Sequence, residues 1–266
     1  MDLCASGEQA YTIKNTPERN HAMNIQILEL IEGAKKAQGL TVIIDVFRAF
    51  SLECYLFDKG AGKIYPTGKI EDAFAMKKEH PDYVLLGERG GAKVEGCDFG
   101  NSPFQIRDFD VSGKTIIHTT SAGTQGIVNA AAAGAREIIT GSLVNADAVV
   151  RYIRSRNPEQ VSIVAMGKAG LSSAAEDVLC AEYLKARLEN KDLSGREDIS
   201  GKTALAQLQE QAAAMKDGDG AHFFNPATQE IFPEEDFYMC TQCCRFDFVI
   251  RVGKDAEGRL ITAPVL

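Results

Sequence analysis

Asp45 and Arg48 stand three residues apart, directly behind the largely β-branched run Leu40-Thr41-Val42-Ile43-Ile44. Such a run marks a strand buried on both faces, and it delivers both side chains at its carboxyl end. A carboxylate there can ligate Mg²⁺ or attack phosphorus, and a nearby guanidinium can grip phosphoryl oxygens bidentately. The competing role for Asp45 is to cap the helix that follows.

A second stretch, Gly87 to Pro103, carries five glycines and the charged residues Glu88, Arg89, Lys93, Glu95 and Asp98. Glycines at this density let a backbone turn sharply and approach a ligand. Mixed charge in such a loop suits an anion held beside a cation, as with a phosphate ester and Mg²⁺, although a solvated surface loop has the same composition. Thr119-Thr120-Ser121-Ala122-Gly123-Thr124 leads into a small-residue helix. Hydroxyls and N–H groups at a helix start make a phosphate cradle or a plain N-cap turn. Glu176 and Asp177 open another helix. Ser173-x-x-Glu176 reads as a capping box, which leaves Asp177 as the candidate metal ligand. His118 at a strand end is either an acid–base group or structural, and Lys168 is either an anion ligand or a surface lysine.

Positioning these groups requires alternating strands and helices. Strands are expected near Leu40–Ile44, Lys63–Tyr65, Tyr83–Leu86, Lys114–His118, Glu137–Thr140 and Val161–Met166, with helices between them. Thr41, Ile43, Gly60, Ala61 and Ile64 recur 74 residues later as Thr115, Ile117, Gly134, Ala135 and Ile138. The reading is an α/β fold, a three-layer α/β/α arrangement with a largely parallel or mixed sheet and a duplicated βαβαβ unit. Residues 1–22 read as a loosely held leader. Residues 23–192 read as the duplicated core, divided into 23–110 and 111–192. Residues 193–266 read as a smaller C-terminal α+β part, with Phe246–Val252 as a strand at an edge. Ligands of such sheets bind at the carboxyl ends of strands, where the four loops would gather.

The charge of −8 argues against nucleic acid or an anionic membrane as partner. No run of 18 apolar residues and no secretory signal is apparent. Seven scattered cysteines fit a reducing cytoplasm better than a disulfide framework, and Cys240-x-x-Cys243-Cys244 resembles half a zinc site without its partner.

Asp45-x-x-Arg48-Ala49, Gly87-Glu88-Arg89-Gly90-Gly91, Glu95-Gly96-x-Asp98-x-Gly100-Asn101-Ser102-Pro103, Thr119-Thr120-x-x-Gly123-Thr124, Gly141-Ser142 and Glu176-Asp177-x-x-Cys180 occur in that order. Together they resemble the 2-phosphosulfolactate phosphatase family, over about Ile25 to Leu188 and more loosely through Asp236, Cys240 and Asp247. Phe50 departs from the pattern, where a Thr commonly follows the Arg-Ala pair. The resemblance implies Mg²⁺-dependent hydrolysis of a phosphomonoester that also bears sulfonate and carboxylate groups, in coenzyme M biosynthesis. On this reading Asp45 is nucleophile or metal ligand, with Glu88 and Asp177 as further metal ligands. Arg48 and Arg89 hold the phosphate. Lys93, Asn101, Ser102, Thr119, Thr120, Ser121, Gly123, Thr124 and Lys168 bind the rest of the substrate. Rival readings are a phosphatase of another phosphorylated hydroxy acid and a non-catalytic binder of such an acid. A homodimer is the default assembly.

Overall fold

A computed structural model of the chain describes residues 23–266, and the expected leader, residues 1–22, lies outside the described residues. β1 (Asn24–Glu29) leads into the short α1 (Leu30–Ala34). The first unit then runs β2 (Leu40–Ile44), α2 (Ala49–Asp58), β3 (Lys63–Pro66), α3 (Ile70–Glu79) and β4 (Val84–Arg89). β5 (Ala92–Lys93) folds back on β4, so Glu88 and Arg89 belong to a strand rather than to an open loop. The second unit runs β6 (Thr115–Thr119), α4 (Gly123–Ala132), β7 (Glu137–Gly141), α5 (Ala146–Arg156) and β8 (Gln160–Ala165), followed by α6 (Ala175–Leu188). The C-terminal part adds α7 (Lys202–Ala214), α8 (Glu234–Cys240), β9 (Val249–Lys254) and β10 (Leu260–Val265).

Among the described residues the strands form one ten-stranded sheet, in the order β1-β8-β2-β7-β9-β10-β3-β6-β4-β5. β2 pairs in parallel with β7 and β8, and β6 pairs in parallel with β3 and β4. Each unit thus inserts its first strand between the second and third strands of the other.

The side-chain alternation of a strand builds the three layers. Val42 and Ile44 of β2 pack with α5 and α6, whereas Ile43 faces α4. Ile116 of β6 packs with α2, whereas Ile117 faces the layer under α3. α2 leaves β2 to cover β3, β4 and β6, while α4 leaves β6 to cover β2 and β8. Close docking of α4 depends on Gly126, where an added Cβ would lie 2.5 Å from Ile43 Cγ2 and 2.6 Å from Met166 Sδ.

The late strand expected at an edge occupies the middle. β9 pairs antiparallel with β7 through Ile139↔Arg251 and Thr140↔Ile250, and β10 reaches β3 through Thr262↔Ile64. The hairpin β9–β10 therefore bridges the two parallel groups, covering backbone edges that would otherwise be unpaired. Val249 and Ile250 are buried there. No helix among the described residues is long and apolar enough to cross a membrane.

Candidate active site

Asp45 follows β2, Glu88 lies near the end of β4, Ser121 follows β6, and Gly167 and Lys168 follow β8. These strand ends, with the start of α6 and the segment 222–232, line a cavity of about 390 Å³. That is the size range of small-molecule sites.

Backbone N–H groups fix three of its carboxylates. Asp45 Oδ2 accepts from Gly123 at 2.8 Å, and Oδ1 accepts from Ala49 at 3.2 Å. Asp45 therefore steadies the start of α2 and also ties β2 to the loop after β6. Gly123 permits this approach, since a Cβ there would lie 2.8 Å from Asp45 Oδ2. Glu88 Oε1 accepts from Ser121 N–H at 2.6 Å and Oε2 from Gly91 N–H at 2.7 Å. Asp177 Oδ1 accepts from Val46 at 2.7 Å and Oδ2 from Gly167 at 2.8 Å. The expected phosphate cradle at Thr119–Thr124 is thus already filled from within. Ser121 and Gly123 donate to protein carboxylates, and Thr120 and Thr124 bond each other.

Glu176 is the residue that the motif reading explained away. No capping box forms, because Ala174 is the N-cap residue of α6 and no side chain caps it. The Glu176 side chain is buried, and its Oε2 has no hydrogen-bond partner among the described residues. Burial pushes its carboxyl up to about 7, with Asp219 and Asp45 adding repulsion. Burial, then the charge of Glu88, raises Asp45 to about 6 against the pull of its N–H donors. Asp177 is held well above the usual carboxylate range by burial and by Glu176 and Asp45. Four carboxylates crowd one desolvated space.

The cations divide. Arg48 lines the cavity but is buried, and donates through Nη1 to Asp236 and the Ile231 carbonyl at 2.8 Å and through Nη2 to the Gly91 carbonyl at 2.7 Å. Among the described residues, only its Nε–H and one Nη2 hydrogen are uncommitted. Lys168 also lines the cavity and pairs with Asp219 at 3.2 Å, leaving much of its side chain exposed. Arg89 points to the other face of β4, where it bonds the Glu88 carbonyl and Thr119 Oγ1. Lys93 reaches the Cys97 carbonyl, and Ser102 donates to Asp236 at 2.9 Å.

Asp45, Arg48, Glu88, Asn101, Ser121, Lys168 and Asp177 thus share the cavity wall, with Asn101 Oδ1 buried and unpartnered among the described residues. Arg89, Lys93, Ser102, Thr119, Thr120, Gly123 and Thr124 stand outside it. His118 is sealed in the core, with Nδ1 2.8 Å from Glu53 Oε1. Phe50 is also core, beneath Gly123.

The sequence reading missed an aromatic wall of Phe47, His222, Phe223 and Phe232. Phe47 meets Phe223 edge-on at 5.1 Å, and His222 meets Phe232 edge-on at 4.7 Å. No local pattern marks these residues, which converge only through tertiary packing. Among the described residues no group of three or more His, Cys, Asp or Glu is arranged to hold a metal by itself, including around Cys240, Cys243 and Cys244.

A protein-family model described as 2-phosphosulpholactate phosphatase matches residues 25–255. A protein of Bacillus subtilis named "Probable 2-phosphosulfolactate phosphatase" is 30% identical over 220 residues, covering 82% of this chain and 89% of its own. A protein of the same name from Carboxydothermus hydrogenoformans is 35% identical over 245 residues, covering 90% and 97%. Another from Caldanaerobacter subterraneus subsp. tengcongensis is 32% identical over 210 residues, covering 78% and 85%. With a match across most of its length, the chain belongs to the 2-phosphosulfolactate phosphatase family.

Proposed function

We propose that this cavity hydrolyses a small phosphate monoester with Mg²⁺, the substrate being 2-phosphosulfolactate and the products sulfolactate and phosphate. The observation that carries this reading is the four buried carboxylates, Asp45, Glu88, Glu176 and Asp177, beside Lys168 and the free Arg48 donors. Burial first, and then like charge, raises the pKa values of Asp45, Glu176 and Asp177, a cost that a proton or a cation relieves. The carboxylate oxygens are hard donors, and Glu176 Oε2 lacks a partner among the described residues, so the set fits Mg²⁺. One or two of Asp45, Glu88, Asp177 and Glu176 would hold the ion, with water and substrate oxygens completing its shell. When bound, Mg²⁺ neutralises charge developing on the transferred phosphoryl group.

The chain's own groups do the rest. Lys168 Nζ and the uncommitted Arg48 hydrogens bind phosphate and the other anionic groups of the substrate. Asn101 and Ser121 offer neutral polar contacts. The aromatic wall keeps water off one side and strengthens those charge interactions. Both Asp45 oxygens already accept a backbone N–H, which favours its role as ligand over attack on phosphorus. Water is then the nucleophile.

Six free cysteines among the described residues support a reducing, cytoplasmic setting. Phosphate release from 2-phosphosulfolactate, 2-phospholactate and an aryl phosphate tests the substrate. We expect the highest kcat/KM for 2-phosphosulfolactate; a preference for 2-phospholactate would assign another hydroxy acid.

A further inference from the structure

We propose that His222 is the general base, its Nε2 taking the proton from the water that attacks phosphorus. The inference rests on the phosphatase reading above. His222 belongs to the short turn Ala221–Phe224, far along the chain from the strand loops, yet it lines the same cavity.

The tautomer follows from one contact. Nδ1 lies 2.8 Å from the Asp219 carbonyl oxygen. A carbonyl only accepts, so Nδ1 carries the hydrogen and Nε2 carries the lone pair. No hydrogen bond among the described residues uses that lone pair. Phe223 at 4.2 Å and Phe232 at 4.7 Å clamp the ring. Asp219 is the positioning residue, because it also takes the Ala175 N–H at 2.8 Å and pairs with Lys168. One residue thereby fixes His222, Lys168 and the start of α6 relative to one another.

The charged groups that face the ring are Asp219, Arg48 and Lys168. Burial and the two cations lower its pKa below the ordinary histidine value, against the opposing pull of Asp219. A neutral imidazole at pH 7 can accept a proton. The other described histidines cannot serve, since His118 is sealed in the core and His80 stacks on Tyr83 at 4.5 Å, away from the cavity.

In the step itself a water O–H bond breaks and its proton passes to Nε2. The water oxygen bonds phosphorus, and the ester P–O bond breaks with its electron pair on the hydroxy-acid oxygen. That oxygen takes a proton from solvent, and the imidazolium returns one.

The test uses His222→Asn and His222→Gln in the full chain. The Asn amide keeps a donor for the Asp219 carbonyl while removing the distal nitrogen. We expect kcat to fall by about 100-fold or more in both variants, with KM and melting temperature little changed. The acidic limb of the wild-type pH profile should disappear, and added imidazole should restore part of the rate to the Asn variant. Retention of wild-type kcat, or of the acidic limb, in either folded variant would overturn the assignment while leaving the phosphatase reading intact. Failure of the wild type to release phosphate from any ester would overturn both.

Discussion

Arg48 donates to Asp236 at 2.8 Å, with the two side chains 2% and 0% exposed. The arginine that sequence spacing assigns to phosphate is thus first an internal strut, joining β2's loop to α8. Ser102 Oγ–H and the Phe104 N–H also donate to Asp236. Burial holds the Asp236 carboxyl above its usual range despite the guanidinium, so desolvation outweighs attraction in this pair.

Removing one partner strands the other charge. Asp236→Ala should lose about 3–5 kcal/mol of unfolding free energy, read from the urea transition. Asp236→Ala combined with Arg48→Met should lose less than the sum of the single changes. An unchanged midpoint in the single variant would mean that Arg48 is free to reorient.

Gly126→Ala tests the docking of α4 onto β2 and β8. Alanine favours a helix by about 1 kcal/mol over glycine. The Cβ would nevertheless press on Ile43 and Met166 at 2.5 and 2.6 Å, and overpacking costs about 1–3 kcal/mol. We expect a lower melting temperature; a rise would show that α4 stands off the sheet.

The two exposed cations should behave differently. Lys168→Ala should raise KM about tenfold or more through loss of a charge-assisted contact, with kcat largely kept. Arg89→Ala should leave both constants within about twofold, because its guanidinium lies on the other face of β4. The reverse ranking would move the substrate to the Arg89 side.

Acidity and cation binding should be linked. Asp45 at about 6 and Glu176 at about 7 lie above their ordinary values of 3.8 and 4.5. A raised carboxyl contributes its stability in full below the unfolded value, and loses it as pH climbs through the folded one. Without a cation the protein should therefore lose stability between about pH 4 and 7. Saturating Mg²⁺ should raise the melting temperature by several degrees at pH 8 and by less at pH 5, where protons compete. Equal gains at both pH values would place the ion away from these carboxylates.

The fold was legible where side-chain periodicity is local. Leu40–Ile44 and Ala146–Arg156 form the expected strand and helix to the residue. The exchange of first strands was not, because pairing partners are chosen by tertiary packing rather than by alternation within a strand. The interior place of β9 escaped for the same reason. At the site, Asp45 stood out through Arg48 three residues on behind a buried strand, Glu88 through its glycine-rich stretch, and Asp177 as the acid at a helix start that no local cap explained. Glu176 was hidden by a plausible local cap, and His222 by having no neighbours in sequence that mark it.

The central claim is that buried carboxylates around Asp45 make a Mg²⁺-dependent phosphatase. Its most direct measurement is phosphate release from 2-phosphosulfolactate with Mg²⁺ or EDTA, by wild type and Asp45→Asn of matched melting temperature. The account predicts turnover that EDTA abolishes and a kcat/KM at least about 1000-fold lower in Asp45→Asn. EDTA-insensitive turnover, or full activity in Asp45→Asn, would contradict it.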